Sequence, residues 1–276
     1  MEQRIFKLSA VYKGKPWGYE KWNLCCHNEG ESLIQNGQLR NKSLWNYLGY
    51  KSFPMLIKII KADKKLSIQV HPNDEYAKEI EHDKGKNECW YVLNAEPDAY
   101  IYYGLKNEIE KQSLEKILSD GHIEKYLNKV KVEKGNFIYI PSGVIHAIGE
   151  GVILLEVQQN SNITYRIYDY NRGRELQIEK ANDVIDINKN LVVRKRERLD
   201  FFKNEDFIIK KSSIYNYAEF YNKHSFEVLY ILEGKGTIVL DNSNESMETG
   251  DTIYIKEGTH YKVQGSIEYI RVHMNL

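Results

Sequence analysis

The chain carries the stretch Leu66-Ser67-Ile68-Gln69-Val70-His71-Pro72, and the interpretation of its fold begins there. The run of branched apolar residues predicts a β-strand. Side chains repeat every two residues along a strand, so Gln69 and His71 project from the same face. An amide oxygen and an imidazole are therefore presented side by side.

Two further segments carry side chains that can join this pair. Glu88 begins the apolar run ECWYVL at residues 88–93, and His146 follows a Pro-x-Gly turn that ends the run at residues 136–141. Donors on separate strands converge only if those strands curl around a common interior. Two imidazoles, a carboxylate and an amide oxygen suit a zinc-like divalent ion with one position left open for a substrate.

Composition narrows the classes of protein. The chain has 276 residues, and its 39 basic and 39 acidic residues cancel, which argues against an electrostatic footprint for nucleic acid or membrane. Its three cysteines, Cys25, Cys26 and Cys89, form no metal or redox motif and indicate a reducing compartment. The N-terminus has no apolar leader segment, and no stretch is long enough to span a membrane. We expect a cytoplasmic protein, monomeric or homodimeric.

Strand signals dominate the chain, because short β-branched and aromatic segments recur between Gly, Pro, Asn or charged clusters. We predict strands at residues 55–60, 66–70, 89–93, 99–103, 137–140, 152–157, 207–210, 228–232, 237–240, 252–255 and 269–272. Residues 73–80 favour a helix, with acidic residues in its first turn. An amphipathic pattern at residues 108–130, broken at Asp120-Gly121, predicts a small helical insertion around residues 106–130.

An internal repeat is visible. ECWYVLNA at residues 88–95 aligns with EVLYILEG at residues 227–234, and GNFIYIPSG at residues 135–143 aligns with GDTIYIKEG at residues 250–258. The repeat predicts two copies of one β-architecture. A double-sheet jelly roll is the natural candidate because its strands enclose a site. We predict a mainly β chain with a metal-binding domain at residues 1–190 and a degenerate copy at residues 191–276.

A dense charge run, RKRER, lies at residues 194–198. It can be interpreted as a patch for nucleic acid or phosphate, or as a solvated linker or strand edge. The second interpretation is favoured in a protein without net charge.

Both halves resemble cupin domains, and the first half resembles the type I mannose-6-phosphate isomerases, in their short bacterial form. The resemblance covers roughly residues 12–185, the reach of a set of ordered motifs across strands and turns. Those motifs are KPWG at residues 15–18, FPMLIKII at 53–60, LSIQVHPND at 66–74, GKNE at 85–88, and IPSGVIHA at 140–147 with EVQQNSNITYRIYD at 156–169.

The resemblance implies a zinc ion held by Gln69, His71, Glu88 and His146, one divalent ion per chain, with other divalent metals as alternatives. It also implies a catalytic cleft that contains Arg166, Lys86 and Glu156, and the interconversion of mannose 6-phosphate and fructose 6-phosphate in carbohydrate metabolism. Asn162 stands where the family often has Asp.

Several roles stay open at this point. Gln69 is the weakest donor chemically, and Arg166 can stabilise an enediolate or form an ion pair with Asp169 or Glu156. Glu156 and Lys86 are both candidates for the proton-transferring base. Lys86, Arg172 and Arg174 are options for binding the phosphate. The alternative functions are a non-catalytic sugar-phosphate-binding cupin, another metal-dependent sugar isomerase, and a metal-dependent dioxygenase.

The C-terminal copy is expected to be free of metal. It retains Glu227, His224 and His260, but no Gln-x-His pair precedes Glu227. His260 follows Gly258 by two residues whereas His146 follows Gly143 by three, and a shift of one residue on a strand turns a side chain to the opposite face.

Overall fold

A computed structural model describes residues 2–49, 53–240 and 243–275. The chain forms two compact units. The central unit comprises residues 12–21 and 55–198, and the terminal unit comprises the other described residues, 2–11, 22–49, 53–54, 199–240 and 243–275. The domains predicted at residues 1–190 and 191–276 remain a proposal, and the compact units run across that boundary. They do so because an N-terminal strand, residues 5–7, pairs with residues 253–255 of the terminal unit.

The strands and helices of the described residues are as follows. The strands are β1 (Ile5–Lys7), β2 (Val11–Lys15), β3 (Gly18–Leu24), β4 (Cys26–His27), β5 (Gly30–Glu31), β6 (Met55–Ala62), β7 (Ile68–Val70), β8 (Glu88–Ala95), β9 (Tyr100–Leu105), β10 (Leu127–Lys131), β11 (Phe137–Ile140), β12 (His146–Ile148), β13 (Val152–Gln159), β14 (Tyr165–Tyr168), β15 (Lys195–Arg196), β16 (Phe201–Lys203), β17 (Phe207–Asn222), β18 (Phe226–Leu240), β19 (Ser243–Glu248), β20 (Thr252–Lys256) and β21 (Thr259–Met274). The helices are α1 (Leu44–Leu48), α2 (Asp74–Tyr76), α3 (Lys111–Ser119), α4 (Ile178–Val184) and α5 (Ile187–Asn190). A π-helical turn, Ala77–Glu81, and two 3₁₀ turns, Gly37–Leu39 and Ile123–Tyr126, accompany them.

The central unit is a two-sheet jelly roll, as predicted for the first half. One sheet has the strand order β15-β11-β8-β13-β6-β3-β2, and the other has the order β10-β9-β12-β7-β14. Of β2, β3 and the turn between them, residues 12–21 belong to this unit. Apolar side chains from both sheets form one core, and they include Trp17, Trp90, Ile101, Tyr103 and Leu154. Because the core fills the space between the sheets, the strand ends that carry the polar donors lie at its margin.

Helices cover the other face of the five-stranded sheet. Leu114 and Leu118 of α3 and Ala181 of α4 pack with Ile68 and Val70 of β7. The helix α3 and the 3₁₀ turn Ile123–Tyr126 lie where helices were predicted, with Gly121 (φ 73°) between them. This packing stabilises β7, the strand from which Gln69 projects.

The main sheet of the terminal unit has the order β1-β20-β18-β21-β17-β16, with β19 paired to β18, and β4 and β5 form a separate two-stranded sheet. The internal repeat is reproduced in the strand register. Glu88 lies opposite Ile140, and Glu227 lies opposite Ile255, the equivalent residue of the second copy. The two copies therefore align strand for strand, β8 with β18 and β11 with β20.

One prediction of separate strands was wrong. Residues 228–232 and 237–240 belong to a single strand, β18. Gly234 lies between the two predicted segments and within the strand at φ 95°, where a Cβ atom would stand 2.1 Å from the carbonyl oxygen of Ser266. The glycine thus allows two neighbouring strands to approach closely, beside a register shift between Ile231 and Glu233.

The charge run at residues 194–198 forms a strand edge, which confirms the favoured interpretation. Lys195 and Arg196 make up β15, which pairs with β11 at the end of the seven-stranded sheet. Among the described residues, no helix is long and apolar enough to cross a membrane.

Candidate metal centre and active site

Three buried side chains of the central unit converge on one point. His71 follows the last residue of β7, Glu88 is the first residue of β8, and His146 is the first residue of β12. One ligand atom from each lies within 4.8 Å of the others, and each residue is only 1% exposed. Among the described residues, these three are the single cluster of His, Cys, Asp or Glu side chains close enough to share a metal ion.

Backbone carbonyl groups orient both imidazoles. Nδ1 of His71 donates to the carbonyl oxygen of Ile163 at 2.8 Å, and Nδ1 of His146 donates to that of Val144 at 2.9 Å. The Nε2 atoms therefore face inward, at 3.1 Å and 3.7 Å from the carboxylate oxygens of Glu88. Such outer hydrogen bonds are typical of histidines that bind metals, because they fix the tautomer and the ring.

Electrostatics keep the two imidazoles neutral. Burial, followed by the nearby ammonium group of Lys86, lowers the pKa of His71 to about 3. Burial also lowers the pKa of His146. A neutral imidazole has the lone pair that a metal ion requires, so both rings are in the ligand form at neutral pH.

Glu88 is the charged member of the cluster. Burial alone would raise the pKa of its carboxyl group, but the ammonium charge of Lys86, followed by the neighbouring His71, outweighs burial and holds the pKa well below its usual range. Both carboxylate oxygens are buried and accept no well-formed hydrogen bond within the described chain, although Nζ of Lys86 lies 2.8 Å from Oε1. A buried carboxylate without hydrogen bonds is a costly arrangement that a bound cation would relieve, so the donor set fits a divalent metal.

Gln69 lies beside this cluster. Its Nε2 atom is 3.4 Å from Nε2 of His146, and the two residues are register partners across β7 and β12. The nitrogen and oxygen of a side-chain amide exchange places when the group turns over, so its carbonyl oxygen can reach the same position.

A polar cavity of about 210 Å³ opens next to the cluster. Gln69, Ser67 and the three predicted catalytic residues, Arg166, Lys86 and Glu156, all line it. Its other charged lining residues are Lys15, Glu20, Lys58 and Arg174. The predicted catalytic side chains thus share one space, and that space suits an anionic substrate.

Arg166 does not form the ion pair that was its alternative role. Its Nη1 donates to the carbonyl oxygen of Glu175 at 2.9 Å, and its buried Nε has no hydrogen-bond partner within the described chain. Asp169 pairs with Arg172 and Arg174 instead. Burial, followed by the charge of Arg174, lowers the pKa of Arg166, although the carboxylates of Asp169 and Glu175 act in the opposite direction.

Glu156 is held by two donors on neighbouring strands. The indole Nε1 of Trp90 donates to its Oε1 at 3.0 Å, and Nζ of Lys58 lies 3.2 Å from its Oε2. Burial, followed by the charge of Glu88, raises the pKa of Glu156 even though Lys58 acts in the opposite direction. A carboxylate whose pKa is raised is a stronger base than an ordinary carboxylate.

Lys58 was missed at the level of sequence. It is the one charged residue of the run MLIKII at residues 55–60, and it is 3% exposed. A lysine inside an otherwise apolar central strand is rarely buried without a partner, so the run itself contained the signal. Of the cations predicted for phosphate, Lys86 and Arg174 line the cavity, whereas Arg172 contacts the carbonyl oxygen of Lys65 and Asp169.

In the terminal unit, the guanidinium of Arg271 takes the position that Glu156 has in the central unit. Arg271 lies opposite Leu229 in the register, as Glu156 lies opposite Trp90 in the central unit. Nε of Arg271 is 3.5 Å from Oε2 of Glu227, whose Oε1 accepts a hydrogen bond from Tyr261 at 2.6 Å. The acid equivalent to Glu88 is therefore already neutralised.

His224 and His260, the two histidines considered as ligands in the second copy, contact residues other than Glu227. His260 is exposed and pairs with Glu219 at 2.9 Å, as the shift of one residue predicted. The ring of His224 stacks on that of His273, with centroids 3.8 Å apart.

We therefore expect purified protein to hold about one divalent ion per chain, the stoichiometry of a single closed ligand set. The His260→Ala variant should hold the same amount, because its imidazole points to solvent. Elemental analysis of both proteins after gel filtration measures this. Two ions per chain, with one lost in His260→Ala, would show a second site in the terminal unit.

Family models match both parts of the chain. Residues 6–110 match the catalytic domain of phosphomannose isomerase type I, and residues 197–274 match the cupin domain of mannose-6-phosphate isomerase.

Curated relatives and solved structures agree with these matches. The chain is 34% identical to mannose-6-phosphate isomerase ManA of Bacillus subtilis over 92% of its own length and 89% of that protein. It is 31% identical to mannose-6-phosphate isomerase of Streptococcus mutans, covering 100% of this chain and 99% of that one. The crystal structure of a mannose 6-phosphate isomerase from Bacillus subtilis superposes with a TM-score of 0.87 at 28% identity, over 98% of this chain and 100% of that one. A variant of the phosphomannose isomerase of Salmonella typhimurium, at 14% identity and a TM-score of 0.79 over 99% of this chain and 100% of that one, shares the fold.

Proposed function

Since this chain belongs to the type I phosphomannose isomerase family, we propose that it is a mannose-6-phosphate isomerase, which interconverts mannose 6-phosphate and fructose 6-phosphate. The observation that supports this most directly is a polar cavity beside a buried cluster of metal-ligand type. The cluster is His71, Glu88 and His146. The cavity is lined by three further polar groups, those of Arg166, Lys86 and Glu156.

Gln69, His71, Glu88 and His146 are proposed to hold one divalent ion, with zinc as the first candidate. The support is the donor set of two imidazoles, a carboxylate and an amide, together with the carboxylate oxygens of Glu88 that lack hydrogen bonds. When bound, such an ion supplies Lewis-acid polarisation of the sugar carbonyl without redox chemistry.

The proposed reaction moves a proton between C2 and C1 of the open-chain sugar. From mannose 6-phosphate, Glu156 removes the C2 proton, and the electron pair of that bond passes into a C1–C2 enediolate. The carboxylic acid then returns the proton to C1, while the hydroxyl proton passes from O2 to O1. We favour Glu156 over Lys86 as the base because the pKa of Glu156 is raised, whereas the Lys86 ammonium lies 2.8 Å from Glu88.

The remaining cations are proposed to stabilise negative charge on the substrate. Arg166 stays protonated and is proposed to stabilise the enediolate, since it lines the cavity without a carboxylate of its own. Arg174 is proposed to bind the phosphate, because it lines the same cavity and Asp169 holds its side chain in place.

An enzyme-coupled assay tests the proposal. Protein loaded with zinc should convert mannose 6-phosphate to fructose 6-phosphate, and protein treated with a chelator should regain this activity when zinc is restored. Calorimetry with mannose 6-phosphate should accompany this assay to measure binding. Tight binding of the sugar phosphate without turnover would identify a non-catalytic binding protein and overturn the proposal.

Arg166→Ala should lower kcat by at least ~100-fold, the scale for loss of one electrostatic partner of a transition state. Its metal content should stay at the native level, since Arg166 is not a proposed ligand. Steady-state kinetics and elemental analysis give both values. Arg172→Ala is the matched control, because that arginine belongs to the same segment and does not line the cavity. Near-native turnover in Arg166→Ala would leave the enediolate without its proposed partner.

A further inference from the structure

Trp90 stands between the proposed metal centre and the proposed base. It is the third residue of β8, two positions after Glu88, so both side chains project to the same face of the sheet. Its register partner on β13 is Glu156. The indole is fully buried although it lines the cavity.

The ring contacts both groups at once. Its edge meets the ring of His146, with centroids 5.4 Å apart and planes inclined by 77°. Its Nε1 donates to Oε1 of Glu156 at 3.0 Å. An aromatic side chain has only two rotatable bonds, so a buried tryptophan is a stiff spacer between its neighbours.

The hydrogen bond determines where the carboxylate points. Nζ of Lys58 forms an ion pair with Oε2 at 3.2 Å without a well-formed hydrogen bond, whereas Trp90 donates a hydrogen bond to Oε1. An ammonium is a point charge that attracts the carboxylate from many directions, whereas an indole N–H donates along one line. Of these two donors, Trp90 is therefore the one that sets the orientation of the carboxylate.

We propose that Trp90 is a positioning residue of the isomerase reaction, which holds the Glu156 carboxylate at a fixed place relative to His146. This inference rests on the proposed function. It assigns a role in the reaction to a tryptophan whose side-chain type alone suggests core packing. A base that must reach both C1 and C2 has to be placed closely, because small displacements of a reacting group are costly in rate.

The Trp90→Phe variant is the first test, because phenylalanine keeps an aromatic ring against His146 and removes the N–H donor. We expect kcat to fall by about 10- to 100-fold, with KM and metal content within about twofold of the native values. Trp17→Phe is the matched control. Trp17 also lines the cavity and is buried, and no hydrogen bond from its indole is seen within the described chain. A loss of metal from Trp90→Phe, or an equal fall of kcat in Trp17→Phe, would mean that the ring only packs.

A double-mutant cycle separates positioning from packing. If Trp90 acts through the Glu156 carboxylate, Trp90→Phe should change the residual rate of Glu156→Gln by less than about twofold. An equal loss of rate in both backgrounds would overturn the proposal.

A spectroscopic measurement keeps the inference separate from the proposed function. The indole N–H resonance of Trp90, identified by its absence in Trp90→Phe, should shift in Glu156→Gln and stay unchanged in Glu20→Gln. If native protein has no isomerase activity, the proposed function fails, and this resonance still reports whether the contact exists. If native protein is active and the resonance does not respond to Glu156→Gln, the positioning role fails alone.

Discussion

Replacing both His71 and His146 with alanine should leave the protein without bound metal and without measurable isomerase activity. The two imidazoles supply the nitrogen donors of the cluster, and each is held by a carbonyl oxygen that leaves Nε2 facing Glu88. With both removed, Glu88 and the neutral amide of Gln69 are too few donors for tight binding of a divalent ion. Elemental analysis after gel filtration in zinc buffer, followed by the coupled assay, measures both losses.

The matched control is His122→Ala/His260→Ala. Both of these imidazoles are exposed, so the control removes two histidines without touching the cavity. It should keep native metal content and native turnover. Circular dichroism of the first variant shows whether it is folded, since each buried histidine leaves a space when it is truncated. Full metal occupancy in folded His71→Ala/His146→Ala protein would refute the assignment of the metal centre.

The elements that were predicted well are those with strong local patterns. Residues 137–140 and 152–157 are short, branched and bounded by turn residues, and they appear as β11 and β13. The repeat was also visible, because equivalent strands of the two copies share an apolar run after a glutamate and an Ile-Tyr-Ile segment after a glycine. What the pattern did not reveal is pairing between distant segments, such as β1 with β20, since a strand of three residues carries no mark of its partner.

The site also contains residues that the sequence predicted and contacts that it did not. Gln69, His71, Glu88 and His146 were marked by donor chemistry and by the family motifs around them. The carbonyl groups of Ile163 and Val144 that orient the imidazoles could not be predicted, because every residue has a carbonyl and only the folded chain selects one. Trp90 packs in the core and also lines the cavity. Its hydrogen bond to Glu156 became visible only when the register of β8 on β13 was known.

Glu156→Gln should lower kcat by about 10²- to 10⁴-fold, the range for removal of a positioned general base. Glutamine keeps the shape of the side chain and an oxygen that accepts from Trp90, but it cannot take a proton at neutral pH. Metal content should remain native, because Glu156 contacts Trp90 and Lys58 and none of the proposed ligands. Glu20→Gln, which changes another acid of the same cavity, is the matched control.

The pH profile adds a second readout for the same residue. A base works only in its deprotonated form, so kcat/KM should fall as the pH drops through the pKa of Glu156. Burial is the main cause that raises this pKa, so we expect an acid limb set by Glu156 in the profile. In Glu156→Gln this limb should disappear from the residual rate. If Glu156→Gln keeps most of its turnover and the limb, while Lys86→Met retains metal and loses turnover, the proton passes through Lys86 and the assignment of the base is reversed.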